Sequence, residues 1–141
     1  MVDYPLGSVR PDLVRTPGGL SLDELTLDAL RAGKLTAAEM RLTAQTLRLQ
    51  GDVARAAGRP QLAANLGRAA ELTALPDELI LEIYTALRPH RSTSGELEAW
   101  AERLEREYRA PLTAAFIREA SAVYAERRLF SDDGRAGTAT L

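Results

Sequence analysis

The chain has 141 residues, 18 basic and 20 acidic side chains, a formal charge of −2 and no cysteine. That length suits one domain able to bury about two thirds of the surface its unfolded form exposes, and a balance of charge with no basic run longer than Arg127-Arg128 gives no electrostatic footprint for nucleic acid. The missing thiols exclude disulfides, thiolate zinc sites and cysteine nucleophiles and accord with a cytoplasmic protein; no apolar stretch approaches a membrane span, and Asp3, Pro5, Gly7 and Arg10 stand where a signal peptide would place its apolar region.

Residues 1–25 are predicted to form an extended or turned arm, because Pro5, Pro11, Pro17 and Gly18-Gly19 interrupt every regular element. The arm nevertheless carries Tyr4, Leu6, Val9, Leu13, Val14, Leu20 and Leu22, more apolar surface than a solvated linker needs. Those side chains require a surface, on this chain or on another. Tyr4, Pro5, Leu6, Leu13 and Pro17 are therefore candidate partner contacts.

A helical body is predicted over residues 26–130. Thr26 caps a short helix through Ala32 with Gly33 past its end, and Thr36-Ala37-Ala38-Glu39 has the form of a capping box from which a longer helix should run. Met40, Leu47 and Ala54 recur every seven residues, with Ala44, Gly51 and Gly58 near the same stripe, so a second helix is expected to approach closely there. Pro60 opens that partner helix, through about Thr73, with Leu62, Leu66, Ala69 and Ala70 as its apolar positions. Pro76 opens the next, with Asp77 and Glu78 beside the positive end of its dipole. Leu79, Ile80, Ile83, Tyr84 and Leu87 form its broad apolar face and Leu81 falls outside it, which predicts cover on more than one side.

Thr93-Ser94-Gly95-Glu96 is a second capping box, followed by a stripe of Leu97, Trp100, Ala101, Leu104 and Tyr108. Pro111 then opens the last helix, whose apolar stripe is Leu112, Phe116, Ala120, Val123 and Tyr124; Trp100 and Phe116 are assigned to the core. Residues 131–141 read as a disordered tail. No alternating strand pattern competes, so the fold class is all-α, about five or six helices in a compact bundle with an extended N-terminal arm.

Few residues carry chemistry of their own. His90 is the only histidine and has no cysteine or histidine companion for a metal site or a nucleophile's base. Gly33-Lys34 lacks the upstream glycine and following hydroxyl of a phosphate loop, and Asp132-Asp133-Gly134 lacks the spaced ligands of a calcium loop. Glu96, Glu98, Glu102, Glu105 and Glu107 are interspersed with arginines around a helix and read as a solvated face. Arg88, His90 and Arg91 leave two readings open: a corner whose cations neutralise helix-end carbonyls, or guanidiniums that reach a partner's acidic groups.

The stretch from Pro76 to Thr93, with Arg68-Ala69-Ala70-Glu71-Leu72 before it, resembles the small (gamma) subunit of adenosylcobalamin-dependent diol and glycerol dehydratases. Asp3-Tyr4-Pro5-Leu6, Thr16-Pro17-Gly18, Leu25-Thr26-Leu27, Gln45-Thr46-Leu47, Ala114-Ala115-Phe116 and Arg118-Glu119-Ala120-Ser121-Ala122-Val123-Tyr124 follow in the family's order, so the resemblance covers about residues 3–128. It implies a heterohexamer with two copies each of a large TIM-barrel subunit, a medium subunit and this small one. Substrate and metal ion would belong to the large subunit and cobalamin to the large–medium boundary, so this chain alone is expected to bind no cofactor and hold no catalytic residue. Many members carry an N-terminal extension tied to packaging in protein-shelled microcompartments; the shared segment here begins at Asp3, and encapsulation through this chain is not expected.

Two function classes follow. The first is a non-catalytic dehydratase subunit that keeps the large subunit assembled and soluble, with Tyr84, Arg88, His90 and Arg91 joining the arm as candidate contacts. The second is a free-standing helical interaction or regulatory module, which the arm and the apolar Pro76 helix also permit. Adjacent reading frames for a large and a medium subunit would separate them.

Overall fold

The structure, a computed structural model, describes residues 4–131; residues 1–3 and the predicted tail from 132 onward, with its Asp132-Asp133-Gly134 turn, lie outside the described residues. Among the described residues the chain is all-helical, with seven α-helices, two 3₁₀ turns and one isolated bridge. It divides into two compact units, residues 1–73 and 74–141.

In the first unit, α1 (Leu6–Val9) and a 3₁₀ turn (Pro11–Leu13) lead into a reversal at Thr16-Pro17-Gly18-Gly19. The Gly19 amide donates to the Thr16 carbonyl at 2.9 Å, and a bridge pairs Arg15 with Ser21. Gly19 sits at φ 90°, where an L side chain would be strained. A second 3₁₀ turn (Leu22–Glu24) follows, capped by Ser21, whose amide and hydroxyl donate to the Glu24 carboxylate at 2.8 and 2.9 Å and hold that carboxyl below the usual range. The segment is turned rather than straight. Leu6 is buried, Leu13, Val14, Leu20 and Leu22 are half-buried, and Tyr4 and Val9 stand 73% and 51% exposed.

Helix α2 (Leu27–Arg31) is capped by Thr26 and closed at Gly33 (φ 71°), as its flanking residues predict. The capping box at Thr36 does not open a helix. Residues 36–41 make only three-residue turns, and the long helix α3 (Ala44–Ala56) starts eight residues later with Thr43 as its cap. The reason is chemical: the Glu39 carboxylate turns away from the Thr36 amide and binds the Thr16–Gly18 reversal instead. Met40, stranded outside the helix, is 67% exposed. The close approach predicted at the small residues does form, between α3 and α4 (Pro60–Leu72). A Cβ added at Gly51 would lie 3.5 Å from the Ala63 carbonyl oxygen, and Leu47, Ala54, Ala63 and Ala70 are buried.

The second unit contains α5 (Asp77–Ala86), α6 (Ser94–Tyr108) and α7 (Pro111–Arg127), the last two packed as a helical hairpin. Arg109, in the left-handed region at φ 53°, ends α6, and the predicted capping box at Thr93 starts it with both hydrogen bonds made. Ala101, Leu104, Ala110 and Ala114 are wholly inaccessible and Leu97 and Ile117 nearly so. Each such large side chain contributes about 1.5–3 kcal/mol by leaving water.

The face of α7 differs from the expected one. Thr113, Ala114 and Ile117 turn inward while Leu112, Phe116 and Val123 are 52%, 37% and 39% exposed. A seam built from Ala101, Ala110 and Ala114 brings backbones too close for a phenylalanine ring, so the bulkier stripe faces out. Trp100 is half-buried rather than core. Outside the seam, Arg118 of α7 donates to Glu98 at 2.9 Å and to both Glu105 oxygens at 2.7 and 3.1 Å, and the guanidinium holds the Glu105 carboxyl below the usual carboxylate range.

Candidate functional site

Two places collect the residues that the sequence marks as partner contacts, one in each unit. The first is the reversal at residues 15–21. Thr16 is buried, its hydroxyl donating to a Glu39 carboxylate oxygen and accepting from the Leu20 amide at 3.0 Å. The Gly18 amide donates to the same carboxylate at 3.2 Å. Glu39 thereby holds both sides of the Pro17-Gly18 tip, and a Cβ at Gly18 would strike its carboxylate at 2.3 Å. Only glycine fits beneath that carboxylate without moving it.

Pro17, Gly18 and Gly19 are exposed at the tip; Tyr4 and Pro5 are also exposed, Leu6 belongs to the core of the unit and Leu13 lies half-buried. Tyr4 borders an open cleft whose other walls include Val53 and Ala57 of the α3 end and Leu62 and Leu66 of α4. Replacing Glu39 by Ala leaves the Thr16 hydroxyl and Gly18 amide without their charged acceptor. Hydrogen bonds to charged groups contribute about 1.5–3 kcal/mol each, so the Gly18 and Leu20 amides are expected to exchange hydrogen markedly faster in Glu39→Ala than in wild type, with helix content unchanged. Equal exchange in the two proteins would show that Glu39 does not hold the reversal.

The second place is the corner between α5 and α6. Arg88-Pro89-His90-Arg91 is a β-turn: the Arg91 amide donates to the Arg88 carbonyl at 3.2 Å, with Pro89 second and His90 third at φ 62°. Proline presets the second position, and histidine is among the few side chains that tolerate the left-handed third one. The end of α7 fixes this turn. The His90 amide donates to Leu129 O at 2.7 Å, the Ser131 amide to Ser92 O at 3.0 Å, and the Tyr124 hydroxyl to Leu87 O. His90 Nδ1 lies 3.2 Å from Phe130 O and must carry the proton, since a carbonyl only accepts. Ser92, itself buried, donates from Oγ to Ala86 O at 2.9 Å, and the Tyr124 and Phe130 rings meet edge to face at 6.1 Å.

The corner is thus rigidly built, with Arg88 and Arg91 at its two ends. Both are exposed, and no carboxylate among the described residues pairs with either. On α5 beside them Tyr84 is 56% and Leu81 68% exposed, so the cover predicted for this helix on a second side is not supplied within the unit. Sequence reasoning missed two residues. Glu39 was masked by a capping-box pattern, and Trp100 by a helical stripe that rotates it only partly inward.

A family model described as dehydratase small subunit matches residues 1–131. The chain belongs to that family. It is 52% identical over 133 residues to the propanediol dehydratase small subunit of Citrobacter freundii, a match that takes in 94% of this chain and 77% of that one. The corresponding protein of Salmonella typhimurium is also 52% identical, over 131 residues, with 93% and 76% covered. A dehydratase small subunit has other dehydratase subunits as partners.

The described residues of this dehydratase small subunit contain no group of three or more His, Cys, Asp or Glu side chains able to hold a metal ion, and the single histidine ring is engaged with Phe130 O. Among the described residues no helix is long and apolar enough to cross a membrane.

Proposed function

We propose that this chain is the non-catalytic small subunit of an adenosylcobalamin-dependent propanediol dehydratase, a cytoplasmic lyase that converts a vicinal diol to an aldehyde and water. It supports assembly and solubility of a large TIM-barrel subunit, beside a medium subunit, with two copies of each chain in the complex. The observation that carries this reading is 52% identity across nearly the whole chain to two propanediol dehydratase small subunits. The build of the chain agrees with it: residues suited to contact, namely Tyr4, Pro5 and Pro17 on the first unit and Tyr84, Arg88, His90 and Arg91 on the second, stand exposed, whereas groups suited to chemistry are few.

Leu6 plays a different part from those residues, since it is buried in its own unit, while Leu13, half-buried, keeps a side exposed for contact. A direct test is to titrate the purified chain with adenosylcobalamin and assay aldehyde formation from propanediol. The expected result is no spectral binding isotherm and no turnover; either signal from the chain alone would overturn the non-catalytic role.

A further inference from the structure

The last carbonyls of α5 have no amide ahead of them in the helix, and those of Ala86 and Leu87 take donors from outside it. Ala86 O accepts from the buried Ser92 hydroxyl at 2.9 Å, and Leu87 O accepts from the Tyr124 hydroxyl of α7. Beyond Tyr124, α7 stops at Arg128, whose φ of 55° turns the chain back so that the Leu129 amide donates to Tyr124 O at 2.9 Å. Residues 129–131 then meet the α5–α6 corner. The His90 amide and Nδ1 donate to Leu129 O and Phe130 O at 2.7 and 3.2 Å, and the Ser131 amide donates to Ser92 O at 3.0 Å.

Closure holds two non-glycine residues, His90 at φ 62° and Arg128 at φ 55°, in the left-handed region, where a side chain stays only if its surroundings keep it there. Opening relieves both. The α6–α7 seam is held differently, by Leu97, Leu104 and Ile117, none of which takes part in these hydrogen bonds. Elements that rest on hydrogen bonds near the surface open at lower cost than a buried apolar seam. We propose that residues 124–131 are a latch, closing on the α5–α6 corner as one cooperative unit that opens while the α6–α7 hairpin stays folded. Closed, the latch fixes the turn that carries Arg88 and Arg91; open, it releases that turn and residues 129–131 together. A molecule that took up Leu129–Ser131 in extended form would therefore free the turn, and one that gripped the closed turn would hold residues 129–131 in place. The latch stands independently of the dehydratase reading.

Amide hydrogen exchange of the whole 141-residue chain, followed by NMR where rates report the opening equilibrium, reads the latch directly. The His90 and Ser131 amides are its donors, and the Leu104 amide reports the hairpin. In the wild type, His90 and Ser131 should share one protection factor, about tenfold or more below that of Leu104. Tyr124→Phe removes only the hydroxyl and should speed exchange at both latch amides about three- to tenfold, with Leu104 unmoved. Arg128→Gly removes the side chain that disfavours the left-handed turn and should slow both latch amides about twofold or more.

Protection of His90 and Ser131 equal to that of Leu104 would make their opening global and overturn the latch. Unequal protection of His90 and Ser131 would mean that they open separately, and rates that either variant leaves unmoved would mean that these contacts do not hold the corner; both results overturn it. A Tyr124→Phe chain that unfolds, or whose Leu104 amide speeds up as much as His90, overturns it too, because the hairpin would then depend on the latch.

Discussion

Replacing Leu104 by Ala should destabilise the second unit by about 2–5 kcal/mol, the range for deleting a buried leucine side chain and leaving a cavity. Leu104 is wholly inaccessible on α6, and the seam around it is made of Ala101, Ala110, Ala114 and Ile117, which are themselves inaccessible or nearly so. Three of those are alanines with no longer rotamer to swing into the gap, so the upper part of the range is expected. Against a total stability of about 5–15 kcal/mol for a small domain, that loss is large. Urea unfolding followed by Trp100 fluorescence reads it directly, because the probe sits on the same helix. Leu81→Ala, at a side chain 68% exposed, should stay within about 0.5 kcal/mol of wild type in the isolated chain. If Leu104→Ala unfolds at the wild-type midpoint, the α6–α7 seam is not the core of this unit.

Much of the helical architecture was legible in the sequence because its signals are local. Capping at Thr26 and Thr93, prolines opening α4 and α7, and Gly33 closing α2 each act within one turn, and each forms as expected. What failed was decided by partners distant in the chain. The Thr36–Glu39 box loses to a hydrogen-bonding demand 21 to 23 residues upstream, where Thr16 and Gly18 need an acceptor. The face of α7 was misassigned because both of its sides are apolar, and only the closeness of the α6 seam selects Ala114 and Ile117 over Leu112 and Phe116.

The candidate contacts divide along the same line. Exposed Arg88 and Arg91 follow from their places at the end of α5, but Tyr84, expected in its apolar face, is exposed, and the β-turn that fixes the two arginines depends on carbonyl and amide groups of residues 129–131. Leu81 fell outside the predicted apolar face of α5 and proves to be among its most exposed side chains. The arm was the least legible part. Its proline and glycine spacing predicts turns, but nothing in it says that Leu6 is buried by its own unit rather than by another chain.

The central claim, that this chain supports a dehydratase without taking part in its chemistry, is tested most directly by omitting it. Large and medium subunits are expressed with and without this chain, and soluble large subunit and aldehyde formation from propanediol with added adenosylcobalamin are measured in parallel. With the chain present, soluble complex and turnover are expected together; without it, both should fall sharply and in proportion, so that activity per mole of soluble, assembled large subunit changes little. Undiminished solubility and turnover in its absence would contradict the account.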